Sequence, residues 1–149
     1  CMTGWRCGWL VHPASLGDKM GDLSGINNTG ATSFVQHAAA AAIRDGEDFV
    51  AAGVERSRRA RDLVHQRLGG MDRINLAAPK AAFYAFPQVV GLEDDLEFAK
   101  TLVREHQVGL APGSAFGPGN EGYLRLCFAK SEEQLSTAMD RIEIGLQTL

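Results

Sequence analysis

The sequence predicts a mixed α/β chain, in which a helical first part leads into a small α+β unit. Long helical periodicities fill the residues up to Gly70, and the pair Gly69-Gly70 ends the last of them. Beyond that pair the pattern changes to short segments in the order strand, strand, helix, strand, strand, helix. This order is typical of a small sheet that helices cover on one face.

The composition is that of a globular protein and argues against several classes of function. A net charge of −3 over 149 residues gives no electrostatic reason to expect nucleic acid or an anionic membrane as a partner. The longest apolar run, 38–43, is far too short to span a membrane. Cys1, Cys7 and Cys127 lack CxxC spacing, and the histidines lack metal-ligand spacing, so we expect free thiols in a reducing cytoplasm and no metal site.

The first part is predicted to contain one strand and several helices. Residues 5–12 (WRCGWLVH) mix aromatic and aliphatic side chains and stop at a proline, which is typical of a buried strand. A short helix is expected over 16–26 and a loop over 27–33. A further helix is expected to begin at Ser33, with Ser33 as its N-cap.

The longest periodic segment, 47–68, predicts a helix that links two structural units. Its apolar residues recur at helical spacing, and a basic cluster lies on another face: Arg56, Arg58, Arg59 and Arg61. Because the chain is acidic overall, we interpret this cluster as a solvated helix face and not as a nucleic-acid patch.

The second part begins with two predicted strands, 74–77 and 82–86, and a helix follows. Asp94 or Asp95 is expected to cap that helix, which runs to about residue 105. Its inward face is predicted to carry Leu96, Ala99, Leu102 and Val103.

The rest of the second part is predicted as strand, loop, strand and helix. Strands are expected over 108–111 and 123–128, separated by a loop dense in Gly and Pro. Ser131 and Gln134 have the spacing of a capping box. The helix that follows is predicted to be apolar on one face, through Leu135, Met139, Ile142 and Leu146.

Two arginines are candidates for binding an anion. Arg6 and Arg125 each lie within an apolar, strand-like segment, and an unpaired buried guanidinium is costly. Each can therefore face an anion such as a carboxylate or a phosphate. Each can equally be an ordinary exposed strand position, because every second residue of a half-buried strand faces water. The residues alone leave both interpretations open.

The loop 111–122 (APGSAFGPGNEG) was considered as a phosphate cradle. It lacks the GK[ST] ending of a P-loop and does not open a helix, so a loop at the edge of a substrate site, or a long hairpin connection, fits better. No Ser/His/Asp set and no carboxylate pair is recognisable from spacing.

Several motifs together resemble the class I/II (fold type I) pyridoxal-phosphate-dependent aminotransferases. The matching blocks, in order, are MTGWRCGW at 2–9, ATSFVQ at 31–36, PKAAFYAF at 79–86, APGSAFG at 111–117 and YLRL at 123–126. They extend over nearly the whole chain. The resemblance implies that 1–46 is the tail of the large cofactor domain, 47–70 an interdomain helix and 71–149 the small C-terminal α+β domain.

The resemblance also implies roles for four residues. Arg6 corresponds to the arginine that binds the phosphate of the cofactor, pyridoxal 5'-phosphate, and Arg125 to the arginine that pairs with the substrate α-carboxylate. Tyr84 and Phe116, the latter within the loop Pro112–Gly117, are expected to line the substrate side. The implied substrates are an L-amino acid and a 2-oxo acid, and the implied assembly is a homodimer with active sites at the subunit interface.

The sequence departs from the family pattern at two places. Ala82 stands where the family often has Gly, which affects local backbone freedom. No lysine matches the catalytic lysine, which we expect just upstream of Cys1, and the four lysines present are Lys19, Lys80, Lys100 and Lys130. The chain therefore resembles the C-terminal portion of a longer enzyme and is predicted to be inactive alone.

Two alternatives to an aminotransferase remain at this stage. A lyase, a synthase similar to the aminocyclopropane-carboxylate synthases, or an acyl-transferring relative would share both arginines. A transcription regulator with an aminotransferase-like effector-binding domain, or an inactive accessory fragment, would have no enzymatic activity. Dependence on a 2-oxo acid acceptor separates the first group from an aminotransferase, and the sequence upstream of Cys1 separates the second.

Overall fold

The computed structural model describes residues 2–149, and Cys1 lies outside the described part. The chain divides into two compact units, Cys1–Ala52 and Gly53–Leu149. The boundary falls inside one long helix, so the predicted division at residues 46 and 70 stays a prediction. No helix within the described residues is long and apolar enough to cross a membrane.

The first unit is helical. Short 3-10 turns cover Thr3–Trp5 and Ala14–Leu16, and helix α1 (Gly17–Asn28) and helix α2 (Ser33–Asp45) follow. Helix α3 (Glu47–Gly69) starts in this unit and continues into the second. Val35 of α2 is the one buried residue among positions 2–52.

The predicted strand over 5–12 is wrong. The chain there leaves a 3-10 turn and has no regular structure, and Trp9, Leu10 and Val11 are 73, 69 and 88% exposed. A strand needs a neighbour that pairs with its backbone groups, and positions 2–52 contain no strand. The N-cap prediction at Ser33 is also wrong: Thr32 takes that position, without a side-chain capping bond.

Helix α3 confirms the predicted helix over 47–68 and the solvated basic face. Arg58 pairs with Glu55 and Asp62, and Arg59 pairs with Glu55 and Glu132, all on exposed side chains. The hydrogen bond from Arg58, aided by the charges of both arginines, holds the pKa of Glu55 below its ordinary value. The basic cluster is thus largely balanced by carboxylates around it.

The second unit contains five short strands and two helices beside the rest of α3. In chain order they are β1 (Ile74–Asn75), β2 (Tyr84–Ala85), β3 (Gln88–Val89), α4 (Asp95–His106), β4 (Ala111–Pro112), β5 (Leu124–Cys127) and α5 (Glu132–Leu146). A 3-10 turn, Gly113–Phe116, lies between β4 and β5. The predicted order of strands and helices is confirmed, except for β3, which was not predicted because Pro87, directly before it, reads as the end of a strand.

The strands form two small antiparallel sheets. One sheet pairs β1 with β3, and the other has the order β2-β5-β4. Strand β5 is therefore central, with Tyr84 opposite Cys127 on one side and Ala111 opposite Arg125 on the other. This register decides which side chains surround Arg125.

The core of the second unit lies between the three-stranded sheet and the helices. Its largest fully buried side chains are Phe128, Leu68, Leu102, Leu124, Met139, Val64 and Val89. The predicted inward face of α5 is confirmed, because Leu135, Met139, Ile142 and Leu146 are all buried. The α5 capping box at Ser131 and Gln134 is also confirmed.

The predicted inward face of α4 is confirmed for Ala99 and Leu102 and wrong for Leu96 and Val103. Leu96 and Val103 are 48 and 54% exposed, whereas Asp95, Phe98, Ala99 and Leu102 are buried. These four follow the i, i+3, i+4, i+7 spacing of a helix face, with a carboxylate in the first place. Asp94 is the N-cap and accepts from the Glu97 backbone N–H at 2.9 Å.

Ala82 has a φ of +60°. This is the left-handed region, in which a Cβ is strained by about 1–2 kcal/mol and glycine is not. The alanine therefore stores strain just before β2, the strand that carries Tyr84.

We predict that Ala82→Gly raises the free energy of unfolding by roughly 0.5–1 kcal/mol, because strain relief exceeds the extra chain entropy of glycine. Thermal or urea unfolding of the purified protein measures the change. Ala81→Gly is the matched control, since Ala81 is equally exposed and has no positive φ. A loss of stability in Ala82→Gly equal to that in Ala81→Gly contradicts the prediction.

Candidate carboxylate-binding site

Arg125 occupies the middle of the central strand of the three-stranded sheet. Leu124 and Leu126 on either side of it are buried in the core, so Arg125 points to the opposite face, where it is half-buried. The period-two pattern of YLRLCF thus places one guanidinium on an otherwise apolar strand. This alternation is also that of an ordinary strand position on the face away from the core, so burial by itself leaves both interpretations of Arg125 open.

Two aromatic rings clamp the guanidinium of Arg125. Its Cζ atom lies 4.6 Å from the ring centroid of Tyr84 and 4.4 Å from that of Phe116. Tyr84 reaches it as a diagonal neighbour, since its partner Cys127 is two residues from Arg125 on the same face. Phe116 comes from the 3-10 turn that follows the other neighbouring strand, β4. Each such contact contributes about 0.5–2 kcal/mol.

The positive charge of Arg125 has no carboxylate partner within residues 2–149. Its side chain takes part in no ion pair or hydrogen bond there, unlike Arg67, which pairs with Asp140 at 2.6 Å and Glu143 at 3.6 Å. The rings fix the guanidinium from its flanks and leave its N–H groups without acceptors. A planar, half-buried guanidinium with free donors is suited to a bidentate contact with a carboxylate.

A second pair of aromatic side chains supports Phe116. Phe86 meets the Phe116 ring edge-to-face at 5.9 Å and stacks on Tyr123 at 5.1 Å. Such geometries contribute about 0.5–1.5 kcal/mol beyond burial. Tyr123, Phe86, Phe116, Arg125 and Tyr84, in this order, therefore form one continuous row of side-chain contacts.

The turn that carries Phe116 packs closely against the nearby residues Asn120 and Tyr123. The Gly113 N–H donates to the Tyr123 carbonyl oxygen at 2.7 Å. A Cβ at Gly113 would overlap the Asn120 carbonyl oxygen and lie 2.7 Å from the Tyr123 Cβ, so only glycine fits. The Asn120 side-chain amide donates to the carbonyl oxygens of Phe116 and Gly117 at 3.3 and 3.1 Å.

A buried carboxylate also holds this turn. Asp95, at the start of α4, accepts from the backbone N–H and from the hydroxyl of Ser114, both at 2.7 Å. Sequence reasoning considered Asp95 only as a possible helix cap and did not single out Ser114, Phe86 or Tyr123. No sequence spacing reveals these contacts, which join separate segments of the chain.

Arg6, the candidate phosphate ligand, lies in the first unit. It is exposed, ends the turn Thr3–Trp5 with a φ of 54°, and donates from its guanidinium to the Thr3 carbonyl oxygen at 3.2 Å. It does not lie in a strand, which corrects the sequence interpretation. Among the described residues no carboxylate pairs with it, so its remaining donors fit a phosphate dianion chemically.

The structure therefore brings together three of the four predicted site residues. In the second unit Tyr84 and Phe116 each contact the guanidinium of Arg125, whereas Arg6 is in the first unit. The four lysines are all exposed, and Lys100 pairs with Glu97 at 3.1 Å. Cys7 and Cys127 carry free thiols, and Cys1 lies outside the described residues.

Comparison with known proteins places this geometry in a family. Residues 1–142 match the family model described as aminotransferase class I and II. The chain is 42% identical over 148 residues to an aromatic-amino-acid aminotransferase of Thermococcus litoralis and 40% identical over 146 residues to an aspartate aminotransferase of Pyrococcus abyssi. Each alignment covers 95% of this chain and 37% of the relative.

A solved structure agrees with the sequence relatives. The aromatic aminotransferase from Pyrococcus horikoshii superposes with a TM-score of 0.86 and 35% identity over 99% of this chain and 40% of that one. The chain thus spans well under half the length of the relatives it matches, and its fold is part of the fold of these pyridoxal-phosphate-dependent enzymes. The chain belongs to the class I and II aminotransferases.

Proposed function

We propose that this chain is the C-terminal portion of an aminotransferase that moves an amino group from an L-amino acid to a 2-oxo acid. The observation that carries the proposal is the guanidinium of Arg125, which is clamped between Tyr84 and Phe116 and has no acceptor for its donors among the described residues. Both substrates of an aminotransferase carry a carboxylate beside the reacting carbon. A single carboxylate site can therefore serve both half-reactions.

Arg125 acts by orienting the substrate. A bidentate pair fixes the plane and direction of the α-carboxylate and, with them, the position of the Cα–H bond. The rings of Tyr84 and Phe116 restrict rotation of the guanidinium, so little freedom is lost when the substrate binds. They also shield the ion pair from water, which strengthens its attraction.

Arg6 is proposed to bind the phosphate of pyridoxal 5'-phosphate. Its guanidinium has no carboxylate partner among residues 2–149 and matches phosphate in geometry and charge. The cofactor, when bound, supplies the electron sink that aminotransferase chemistry requires. The lysine that removes the Cα proton is expected just upstream of Cys1, so we propose that this chain alone is inactive.

We also propose that the parent enzyme is a cytoplasmic homodimer. The first unit exposes many large apolar side chains, among them Trp5, Trp9, Leu10, Val11, Ile26 and Phe34. Such a surface needs to be covered by protein. The rest of the large domain and a second subunit are the proposed partners, and light scattering of the full-length protein measures the subunit number.

The proposed function is tested on the full-length protein that carries this chain. We expect release of the 2-oxo acid product from an L-amino acid to require a second 2-oxo acid as the amino acceptor, because an aminotransferase returns its amino group to an acceptor. Coupled assays with and without acceptor measure this. Turnover without acceptor, with release of ammonia, would instead indicate a lyase.

For Arg125→Ala we predict that kcat/KM for the amino acid falls about 10- to 150-fold, since hydrogen bonds to a charged group contribute about 1.5–3 kcal/mol. Steady-state kinetics measure the change. Arg104→Ala is the control, because Arg104 is in the same unit and pairs on the surface with Glu97. Equal kinetics in the wild type and Arg125→Ala would remove the carboxylate role.

For Arg6→Ala we predict a rise of about 10- to 150-fold in the dissociation constant of pyridoxal 5'-phosphate, from loss of a charge-assisted pair of about 1.5–3 kcal/mol. Equilibrium titration of the apoenzyme, followed by absorbance, measures it. Arg44→Ala is the control, since Arg44 is an exposed arginine of the same unit that pairs with Asp45. An equal effect in both variants would show that Arg6 has no specific role.

For the chain alone we predict no selective labelling of a lysine by pyridoxal 5'-phosphate and borohydride. All four lysines are exposed, so none has the enclosed surroundings of an activated amine. Peptide mass spectrometry identifies the labelled positions. Stoichiometric labelling of one of the four would contradict the proposal that the catalytic lysine lies outside this chain.

A further inference from the structure

We propose that Asp95 is a positioning residue for the carboxylate site: it holds Phe116 against Arg125 by fixing the turn at Ser114. This inference rests on the proposed function, because it concerns the affinity of the same site. Asp95 touches neither Arg125 nor the place where a carboxylate would bind. Its effect is transmitted through the turn Gly113–Phe116.

The burial of Asp95 is the first reason. It is 4% exposed and is the one buried charged residue of the described chain. Removing a carboxylate from water is costly, and a well-packed apolar side chain would serve core stability at least as well. The buried charge of Asp95 is therefore better explained by its hydrogen bonds to Ser114 than by a contribution to the stability of the core.

The geometry of its hydrogen bonds is the second reason. One carboxylate oxygen accepts from the Ser114 backbone N–H and the other accepts from the Ser114 hydroxyl, each at 2.7 Å. Two charge-assisted bonds to a single residue fix its orientation as well as its distance.

Capping of α4 does not account for Asp95. Asp94 already occupies the N-cap and accepts from the Glu97 N–H. Both side-chain oxygens of Asp95 are bonded instead to a residue 19 positions away. The two consecutive aspartates thus have different roles: Asp94 caps α4, and Asp95 binds Ser114 of the turn.

The path from Ser114 to the site is short. Ser114 and Phe116 belong to the same 3-10 turn, which the Gly117 N–H closes onto the Ser114 carbonyl oxygen at 3.3 Å. A shift of Ser114 therefore moves the ring of Phe116, which lies 4.4 Å from the Arg125 Cζ atom. Cation–π attraction is significant only within about 6 Å, so a small displacement loosens the clamp.

The test uses Asp95→Asn in the full-length enzyme, with Asp94→Asn as the matched control. Each variant removes one negative charge at the start of α4, but only Asp95 contacts Ser114. For Asp95→Asn we expect KM for the amino acid and the inhibition constant of propionate, a carboxylate that cannot react, to rise roughly tenfold. Saturated kcat and cofactor affinity should stay within about twofold, and Asp94→Asn should change none of these.

A double-mutant cycle with Phe116→Ala separates positioning from general destabilisation. If Asp95 acts through Phe116, Asp95→Asn has little further effect on the propionate constant once the ring is gone. Ser114→Ala, which keeps the backbone bond, should give a smaller rise than Asp95→Asn, of about threefold. Fully additive effects of Asp95→Asn and Phe116→Ala would overturn the inference, since the two residues would then act independently.

Arg125→Ala distinguishes failure of this inference from failure of the proposed function. Weaker propionate binding in Arg125→Ala, together with wild-type binding in Asp95→Asn, overturns the role of Asp95 and leaves the carboxylate site intact. Unchanged binding in Arg125→Ala overturns the carboxylate site and the inference with it. If Asp95→Asn does not fold, the propionate constant of Ser114→Ala is compared with that of the wild type instead, because this variant removes the hydroxyl of the same contact.

Discussion

The arrangement of the candidate site depends on one constraint, the positive charge of Arg125, which no carboxylate within residues 2–149 compensates. A guanidinium that is half-buried on an apolar strand has lost part of its hydration, and no carboxylate within residues 2–149 replaces it. The faces of Tyr84 and Phe116 offset some of that loss, since an aromatic face attracts a cation. Neither ring accepts a hydrogen bond in the plane of the guanidinium, and the proposed carboxylate would supply the acceptors for its N–H groups.

The two halves of the clamp are held in different ways. Tyr84 is fixed by the sheet itself, because backbone pairing with Cys127 sets its distance to Arg125. Phe116 lies outside the strands, and its place depends on side-chain contacts with Phe86, Asn120 and, through Ser114, Asp95. By this comparison we expect a single substitution to displace Phe116 more readily than Tyr84, whose position depends on backbone pairing in the sheet. Substitutions in or around the turn Gly113–Phe116 are therefore the ones that we expect to change the affinity of the site.

Local pattern was enough to predict the long helices, the capping box at Ser131 and the candidacy of Arg125, because each depends on residues a few positions apart. The predicted strand over 5–12 failed because an aromatic-rich run becomes a strand only beside another strand. The inward face of α4 was predicted correctly at Ala99 and Leu102 but not at its start, where an apolar residue was expected and a carboxylate, Asp95, is buried. The stack through Phe86 and Tyr123 joins segments that only the fold brings together, so no spacing could have revealed it.

The two proposed anion sites differ in how many of their parts belong to this chain. Around Arg125 the chain provides the strand, both rings and the hydrogen bonds that hold the turn of Phe116. Around Arg6 it provides one exposed guanidinium in a turn, with a single contact to the Thr3 carbonyl oxygen. A preorganised site binds with little loss of freedom, whereas an exposed arginine has to be ordered by its ligand or by neighbouring protein. In the proposed parent enzyme, the affinity for the substrate carboxylate would then reside mainly in these 149 residues, and most of the affinity for the cofactor elsewhere.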